Sequence, residues 1–521
     1  MIVVGGGPVG VGLAVELGLR GISTTLVERR TELQQIPKGQ NLTQRTLEHF
    51  YFWGVVDELR ASRAMPNNYP IGGVTAYKNM MSDYWYAPPG REVVRKFYYE
   101  ENDRIPQYAL ERVLRKKLAM LPSVTTMYGY TAKDIEQGDN RVRATVANEA
   151  QPYEESVLEA DYLVGCDGGH SLVREQSGIK RHGSNFDQRM LLAVLRSKEL
   201  HEAFKRFPER TTYRAMDPDF QGYWMFFGRV DVGEGWFFHA PVPTGTIADN
   251  YDFQGLLNRA AGFDFKAELD HVGFWDLSVA VADEYQANRV LIAGDAAHSH
   301  PPYGGYGLNN GLEDIANLGW KLAAVLDGWG GAKLLESYSE ERQPVFRDIG
   351  EDFISAGINA DRDFLNAYSP EKDHAAFERE WEKLRHSSSV SIYEPNYEGS
   401  SVVIGPPDGV CGAHGSHTFD SRPGHHLPPQ RLSSGKEVQT KFGSGFTLLA
   451  FGASEVAVAA IEASAKSHRV PLKIVRDTFE GGRDLYKSRL TLVRPDQYVA
   501  WAGDFAPQDI EGMIKRVVGA I

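Results

Sequence analysis

Short apolar runs and helical stretches alternate at the start of the chain. Residues 2–4 are β-branched, residues 11–20 have helical composition, and residues 24–27 predict a second strand. This order is typical of a βαβ unit with parallel strands. Two later apolar runs, 160–166 and 289–293, predict further buried strands. The pattern therefore favours an α/β fold with a parallel sheet.

A glycine-rich turn joins the first predicted strand to the first predicted helix. Gly5, Gly7 and Gly10 fit G-x-G-x-x-G: the first permits a tight turn, the second admits a pyrophosphate, and the third lets the helix pack on the strand. The helix N-terminus adds free N–H groups and a positive dipole end. Glu28 lies 18 residues past Gly10, where a carboxylate can bind ribose hydroxyls. Together they predict a dinucleotide site, and the pattern alone does not separate NAD from FAD.

Two later segments end a predicted strand with an aspartate beside a glycine. The run 160–168 ends in Asp-Gly, and the run 289–295 ends in Gly-Asp. The second is followed by the proline- and glycine-rich stretch 301–311 and a long helix. An aspartate at the tip of a parallel strand can bind a sugar-like hydroxyl, and the glycines let the backbone approach a planar ring.

These three segments together resemble the flavoprotein aromatic hydroxylases, the class A FAD monooxygenases related to p-hydroxybenzoate hydroxylase and phenol hydroxylase. The resemblance covers most of the chain, and its closing run 494–501 is similar to the family's R-P-D-x-x-V-x-W. It implies a Rossmann-like FAD-binding domain of the GR2 type with an inserted, mainly antiparallel β-sheet substrate domain. It also implies a thioredoxin-like C-terminal domain.

The resemblance implies tightly bound, non-covalent FAD, with NADPH or NADH as a transient co-substrate and O2 as the oxidant. Arg45 matches the family arginine that reaches the flavin, and Gln107 matches the glutamine near the ribityl chain. Asp295 matches the ribityl ligand, and Asp167 the residue tied to both FAD and the nicotinamide. The implied cofactor contacts are Gly5, Gly7, Pro8, Val9, Gly10, Glu28, Arg29, Arg45, Gln107, Asp167, Gly168, Gly294, Asp295, Pro302, Gly305, Gly307, Leu308 and Asn309.

The candidate catalytic residues are Gln40, His239, Tyr223 and Pro302. Members similar to phenol hydroxylase place an Asp or His near the position of Gln40, where it takes a proton from the substrate hydroxyl. Glutamine cannot act as that base. Either the substrate binds as a phenolate, or another residue accepts the proton, with His239 and Tyr223 as candidates and ordinary packing as the alternative for both. No group of side chains has metal-ligand spacing, so no metal site is predicted.

Composition shifts divide the chain. The predicted FAD-binding domain comprises 1–68, 100–181 and 284–369, and the predicted substrate-binding domain comprises 69–99 and 182–283. Residues 370–435 are polar and rich in chain breakers, which predicts a linker region. Residues 436–521 predict the thioredoxin-like domain, and the absence of cysteine from 446–521 excludes a CxxC dithiol. A structural or dimer-contact role is expected for this tail, which leaves a homodimer open.

Charge and cysteine content exclude several classes of function. The 521 residues carry a net charge of −13, which opposes broad binding to nucleic acid or anionic lipid. Cys166 and Cys411 lie far apart, so neither a disulfide framework nor a cysteine metal site is predicted, and a reduced, cytoplasmic protein is expected. The apolar start lacks a preceding basic residue, and no long apolar run predicts a membrane span.

The expected function is an FAD-dependent monooxygenase that hydroxylates a small phenolic or heteroaromatic substrate. The resemblance implies that NAD(P)H and O2 are used through a flavin C4a-hydroperoxide. A tailoring monooxygenase of a polyketide or antibiotic scaffold shares all the motifs and is the alternative. From other classes, an NAD-dependent dehydrogenase is disfavoured by the Asp-Gly and Gly-Asp pair, and a non-catalytic flavin- or nucleotide-binding protein is the third possibility.

Overall fold

The computed structural model describes residues 1–66, 69–385 and 389–521. Residues 67–68, at the end of the first predicted FAD-binding segment, and residues 386–388, within the predicted linker, lie outside the described residues.

A six-stranded sheet, the parallel sheet, contains the first apolar runs. In sheet order its strands are Gln286–Ala287, Val290–Ile292, Leu163–Gly165, Ile2–Val4, Thr24–Glu28 and Val124–Tyr128. All neighbours are parallel except the edge strand Gln286–Ala287, which pairs antiparallel. Ile2–Val4 lies inside the sheet and is fully buried, as expected of a β-branched run on a central parallel strand. The predicted βαβ unit is thereby confirmed.

Two long helices pack against each other beside this sheet. The first helix, Pro8–Leu19, follows the first strand, and the central helix, Tyr306–Leu326, follows the Gly-Asp segment. A Cβ on Gly12 would lie 2.5 Å from Cδ1 of Ile315, so a glycine is needed for this close approach. The packing fixes the N-terminus of the central helix relative to the glycine turn.

An eight-stranded sheet, the large sheet, is mainly antiparallel, as predicted. In order its strands are His298–Ser299, Glu268–Ala282, Arg181–Arg196, Gly235–Val242, Met225–Arg229, Thr212–Met216, Gly73–Tyr77 and Trp85–Tyr86. Thr212–Met216 and Gly73–Tyr77 are parallel, and the other neighbours are antiparallel. Both predicted insertions therefore contribute strands to one sheet.

The two faces of the large sheet pack against different partners. The outer face packs against the helices Lys198–Ala203 and Phe253–Ala261. The inner face packs against the loop before the central helix and against residues 345–358. Its side chains include Met190, Leu192, Phe226, Phe237, His239, Leu277 and Val279.

The C-terminal sheet has four strands. In chain order, one helix follows the first strand, Phe446–Phe451, and a second helix follows the last strand, which is the expected thioredoxin-like arrangement. Its strands are Leu472–Asp477, Phe446–Phe451, Leu490–Val493 and Val499–Gly503, and its helices are Glu455–Ser467 and Ile510–Val517. The stretch 370–435 contains the helix His374–Arg385 and the paired strands Tyr393–Tyr397 and Cys411–His414.

Smaller elements complete the fold. A three-stranded antiparallel sheet consists of Gln151–Ala160, Val142–Asn148 and Tyr130–Gln137, and the strand Asn41–Leu42 pairs with Asp103–Arg104. The other helices are Gln44–Phe52, Val56–Ala61, Gln107–Leu118, Leu172–Gln176, Ala332–Asp348 and Ala356–Ala367, with a π-helical stretch at Ile349–Ser355. Short 3₁₀ turns lie at Arg91–Phe97, Phe204–Arg206, Pro218–Phe220, Gly294–Ala296, Tyr303–Gly305, Val438–Lys441 and Arg483–Tyr486. Among the described residues, no helix combines the length and hydrophobicity of a membrane crossing.

Candidate cofactor and substrate site

The three glycines of the turn after the first strand have different surroundings. Gly5 has φ of +104°, and a Cβ there would lie 2.3 Å from the carbonyl oxygen of Cys166. A Cβ on Gly10 would lie 1.9 Å from the carbonyl oxygen of Gly5. A Cβ on Gly7 would have no heavy atom within 4 Å. Packing therefore requires glycine at two positions, while Gly7 leaves open space beside the backbone.

The first helix begins without a side-chain cap. Gly7 is its N-cap, Pro8 is its first residue, and no acidic side chain lies in its first turn. Its unpaired N–H groups and positive dipole end are left for an anion. Val9 has another role, because a Cβ on Gly294 would lie 2.9 Å from Val9 Cγ2, so Val9 packs the helix against the Gly-Asp segment.

Glu28 lies over the glycine turn from the end of the second strand. Its Oε2 accepts a hydrogen bond from the N–H of Gly6 at 2.6 Å, and its Oε1 accepts one from the N–H of Arg30 at 2.8 Å. Gly7 and Glu28 line a cleft of about 470 Å³. Arg30 lines this cleft, whereas the predicted contact Arg29 is exposed and outside its lining.

Lys38 and Gln107 also line this cleft. Lys38 Nζ donates to Gln34 at 3.4 Å, and Gln107 Nε2 donates to Glu111 at 2.7 Å. Gln107 thus lines the cleft from the start of its helix. Lys38 adds a positive charge to the lining of the cleft that also contains Gly7.

Asp167 and Gly168 lie in the turn just after the strand Leu163–Gly165. Asp167 Oδ1 accepts from the hydroxyl of Ser171 at 2.5 Å, and its Oδ2 accepts from the N–H of Val173 at 3.1 Å. Burial raises the pKa of this carboxyl, and the hydrogen bond from Ser171 opposes the rise. Gly168 has φ of +86°. These hydrogen bonds direct the Asp167 side chain to the start of the following helix.

The Gly-Asp segment is held in place by the central helix. Asp314 Oδ2 accepts from the N–H of Gly294 at 3.0 Å and contacts His298 Nε2 at 2.6 Å, while its Oδ1 accepts from Arg342 at 2.8 Å. Gly294 has φ of +60°, and the Asp295 side chain next to it is exposed. A buried carboxylate thereby positions the backbone that presents Asp295.

The loop 302–305 leads into the central helix, whose N-terminus also lacks a side-chain cap. Pro302 precedes the turn, and the helix N-cap Gly305 has φ of +70°. Asn309 Nδ2 donates to the carbonyls of Asn41 and Gly305 at 2.8 and 2.7 Å, and its Oδ1 accepts from the N–H of Thr43 at 2.9 Å. The Asn309 side chain thus makes its hydrogen bonds within the protein, and Gly307 and Leu308 lie just before it in the uncapped first turn.

Arg45 lies in a different place from the glycine cleft. Its Nε lies 3.1 Å from Glu313 Oε2, its Nη1 donates to Gln497 Oε1 at 2.7 Å, and its Nη2 donates to the carbonyl of Asp496 at 2.5 Å. Its guanidinium also lies 5.5 Å from the ring centroid of Tyr498. Arg45 therefore joins Glu313 of the central helix to Asp496 and Gln497 in the C-terminal part of the chain.

The inner face carries the predicted substrate residue His239. Its ring stacks on Phe226 with centroids 4.9 Å apart, and its Nδ1 has no hydrogen-bond partner among the described residues. Burial lowers the pKa of His239 to about 4, so the imidazole is neutral at neutral pH. Tyr223 is half-buried at the same face, with Arg362 5.6 Å from its ring. Gln40 is buried apart from them, and its Oε1 has no partner in the described structure.

Sequence reasoning missed Lys38, Arg30 and Arg104. The first two are cations close to the fingerprint in sequence, and that proximity was a signal that could have found them. Arg104 is buried beside the large sheet, and its hydrogen-bond partners Asn41 and Arg229 lie far away in sequence. No local motif marks such a position.

Comparisons with known proteins define the class. Residues 1–352 match the family model for an FAD binding domain, and residues 420–520 match the model for the C-terminal part of aromatic-ring hydroxylases. The chain therefore belongs to the FAD-dependent aromatic hydroxylases and is a flavoprotein monooxygenase with FAD as its cofactor. The predicted fold class, cofactor and enzyme class are confirmed, and the dehydrogenase alternative is not supported.

Several relatives match over nearly the whole chain. The 4-methyl-5-nitrocatechol 5-monooxygenase of a Burkholderia species is 28% identical, over 100% of this chain and 97% of the relative. The FAD-dependent monooxygenase apdD of Emericella nidulans is 29% identical, over 97% of this chain and 87% of the relative. The structure of aklavinone-11 hydroxylase with FAD and aklavinone has a TM-score of 0.82 at 26% identity, covering 99% of this chain and 98% of that one.

Proposed function

We propose that this monooxygenase hydroxylates a planar phenolic or heteroaromatic substrate with NAD(P)H and O2. The observation that carries the proposal is that the aromatic inner face packs against the loop with the uncapped helix N-terminus. Tyr303 of that loop stacks on Trp224 with ring centroids 4.2 Å apart. A planar cofactor on the loop would have an aromatic wall opposite it, which suits a flat apolar substrate.

The residues present fit FAD. We assign the pyrophosphate to the open space at Gly7 and to Lys38, the adenosine ribose to Glu28, and the ribityl chain to Asp295 and Gln107. Two uncapped helix N-termini offer N–H groups, the first to the phosphates and the central one to the carbonyl oxygens of the flavin ring. When bound, FAD supplies the redox and oxygen chemistry.

The other predicted cofactor residues act mainly through the backbone or through packing. Gly5 and Gly10 allow the turn, and Val9 and Gly294 pack the first helix against the Gly-Asp segment. Pro8, Gly168, Pro302, Gly305, Gly307, Leu308 and Asn309 shape the backbone around the cofactor. We assign Arg45 and Asp167 to positioning, because their side chains are engaged by other residues, and Arg29 to the surface.

We assign the substrate hydroxyl to His239. Its imidazole is neutral because burial lowers its pKa to about 4, and its unpartnered Nδ1 can accept a hydrogen bond from the hydroxyl. Gln40 can hold a substrate hydroxyl but cannot take its proton. Burial of the inner face excludes water from the reacting carbon.

The His239→Leu variant tests this role. We expect kcat/KM for a phenol to fall at least about tenfold, the effect of losing one hydrogen bond to the reacting group. The wild-type kcat/KM should show no inflection from His239 between pH 5.5 and 9, because its pKa is about 4. The matched variant is Tyr223→Phe, which removes a nearby hydroxyl. An equal loss in the two variants, or an unchanged kcat/KM in His239→Leu, contradicts the assignment.

A polyketide-type scaffold is the second candidate substrate, supported by the likeness to the aklavinone-11 hydroxylase structure. The absorbance of bound FAD distinguishes the two classes. Small phenols should perturb it and accelerate NAD(P)H oxidation in the first case, and polycyclic quinones should do so in the second. Hydroxylated product must appear with either ligand. If no compound of either class accelerates NAD(P)H oxidation, both proposals are contradicted.

We further propose the domain boundaries predicted from composition, a homodimer and a cytoplasmic location. Separate hydrophobic clusters in the parallel sheet and on the outer face of the large sheet support the division between the first two domains, whereas one cluster joins the C-terminal sheet to the central helix. Cys166 and Cys411 are both free thiols, in keeping with a reducing compartment. Light scattering of the purified holoenzyme tests the dimer, and a monomeric mass contradicts it.

A further inference from the structure

Arg104 is a buried arginine on the short strand Asp103–Arg104, beside the large sheet, with 3% of its surface exposed. Its Nε and Nη2 donate to the carbonyl oxygen of Arg229 at 3.1 and 2.7 Å. Its Nη1 donates to Oδ1 of Asn41 at 2.5 Å. Both acceptors are uncharged. Three of the five guanidinium N–H groups are thereby used, and the other two have no acceptor among the described residues.

No carboxylate neutralises this guanidinium, since none of the ion pairs found among the described residues includes Arg104. Arg229 is also buried and likewise has no ion pair there, and its side chain donates to Tyr213 and contacts His201. Burial lowers the pKa of Arg104 to about 9. By contrast, another arginine of the large sheet, Arg214, has a carboxylate partner, because it pairs with Asp361 at 2.8 Å. A buried cation without a counter-ion is costly, so this site favours an arriving anion.

The position of Arg104 places it beside the substrate wall. Its guanidinium carbon lies 5.7 Å from the ring centroid of Phe237 on the inner face. The same ring lies 5.5 Å from that of His239, whose Nδ1 is unpartnered. Asn41, which binds Arg104, has its Cβ 3.5 Å from where a Cβ on Gly305 would lie. Arg104 therefore connects the aromatic wall to the loop of the central helix.

We propose that Arg104 is a specificity-determining residue that binds an anionic oxygen of the aromatic substrate, either a carboxylate or a phenolate. The inference rests on the proposed hydroxylase function and narrows its substrates to acidic aromatic compounds. A local cation is needed for such a ligand, because the net charge of −13 makes the overall field of the protein repel anions. A guanidinium suits a carboxylate because two parallel N–H groups can bind both oxygens.

The test measures ligand binding to the FAD-loaded enzyme by difference absorbance, without turnover. The carboxylate probe is 2-naphthoate, compared with 2-naphthamide, and the phenolate probe is 4-nitrophenol at pH 8.5, compared with 4-nitroanisole. We expect the wild type to bind the anion of at least one pair about tenfold more tightly than its neutral partner. The pair that shows the preference identifies the anion.

The Arg104→Met variant should abolish this preference while leaving the affinity for the neutral partner unchanged, and Arg104→Lys should retain part of it. The matched control is Arg189→Met, which removes a partly exposed arginine that lies 4.9 Å from the ring of Phe274 on the same sheet and pairs with Asp276. In the wild type, thiocyanate should compete with the anionic probe and not with the neutral one, which tests the site even if Arg104→Met does not fold.

Two results overturn the inference: a wild type that binds neither anion better than its neutral partner, or an Arg104→Met variant that keeps the preference. Ligand binding tests the role of Arg104, and product formation tests the proposed function, so the two proposals can fail independently. An enzyme that hydroxylates neutral aromatic compounds and ignores the charge refutes the role of Arg104 alone. An enzyme that prefers the anion through Arg104 and yields no hydroxylated product refutes the proposed function alone.

Discussion

Glu341 and Arg494 form a two-point ion pair that is fully buried, with Oε1 to Nη1 at 2.6 Å and Oε2 to Nη2 at 2.9 Å. Glu341 belongs to the helix Ala332–Asp348, and Arg494 opens the closing motif of the chain. Lys321 of the central helix also binds Glu341, at 2.7 Å, and Asp496 also binds Arg494. The closing motif therefore docks the C-terminal region onto the helices behind the cofactor loop.

The first prediction is that Arg494→Met strongly destabilises the protein. Removing one partner leaves Glu341 buried with less compensation, which costs about 3–5 kcal/mol in comparable buried pairs. The matched control is Arg476→Met, whose pair with Glu455 is exposed and whose expected cost is about 0–1 kcal/mol. Urea unfolding followed by tryptophan fluorescence measures both variants. Similar midpoints for the two variants would show that the buried pair has no special role.

The second prediction is that the protein loses stability in acid because Glu341 becomes protonated. Burial by itself would raise the pKa of Glu341, but Arg494 and Lys321 outweigh it and hold the pKa below the usual 4.5. The folded state thus favours the carboxylate, so its contribution to stability is present above pH 4.5 and is lost as the pH falls below that value. Between pH 6 and 3.5 the urea midpoint of the wild type should fall more steeply than that of Glu341→Gln. The control is Glu455→Gln, an exposed site, whose urea midpoint should fall with pH as steeply as that of the wild type. If the midpoint of Glu341→Gln falls as steeply as that of the wild type, Glu341 does not contribute to stability in this way.

The third prediction separates packing from ligand binding at the glycine turn. Gly7→Ala should fold normally, because a Cβ there meets nothing within 4 Å and the φ of −72° suits alanine. Its affinity for FAD should fall at least about tenfold, because the methyl group occupies the space assigned to the pyrophosphate. Gly10→Ala should destabilise the apoprotein itself, by about 1–3 kcal/mol or more, because its Cβ would meet the Gly5 carbonyl.

Urea unfolding of the apoproteins and FAD fluorescence titration measure the two effects. If Gly7→Ala loses stability and keeps its FAD affinity, the open space at Gly7 is not the phosphate site.

The fourth prediction compares two neighbouring cations. Lys38→Met should weaken FAD binding about tenfold, as expected for losing one charged contact to a phosphate. Arg29→Met should change it less than about twofold, because the side chain is exposed and outside the cleft. FAD titration of the apoproteins at two salt concentrations provides the comparison. A larger loss in Arg29→Met would restore the assignment made from the sequence.

Features set by neighbours in sequence were predictable. The βαβ unit, the glycine turn, Glu28 and the Gly-Asp strand each depend on residues within about one supersecondary unit, and the structure has all of them where the spacing placed them. The antiparallel insertion was visible from its alternating aromatic runs.

Side-chain partners across long separations were not predictable. Arg45 was assigned to the flavin by its motif, yet its partners Glu313 and Gln497 lie 268 and 452 residues away. Arg104 acquires its unusual charge environment from residues 41 and 229, which no local pattern joins to it. Such contacts arise only when the sheets pack, so spacing alone does not specify them.

The most direct test of the central claim is the fate of oxygen atoms in a single reaction. Purified holoenzyme, NADPH or NADH, ¹⁸O-labelled O2 and the aromatic compound that most accelerates NAD(P)H oxidation are combined, and the product is analysed by mass spectrometry. A flavoprotein hydroxylase should place one labelled oxygen on the aromatic ring. An unlabelled product, or NAD(P)H oxidation that yields only hydrogen peroxide across the phenols and polycyclic quinones tested, contradicts the account.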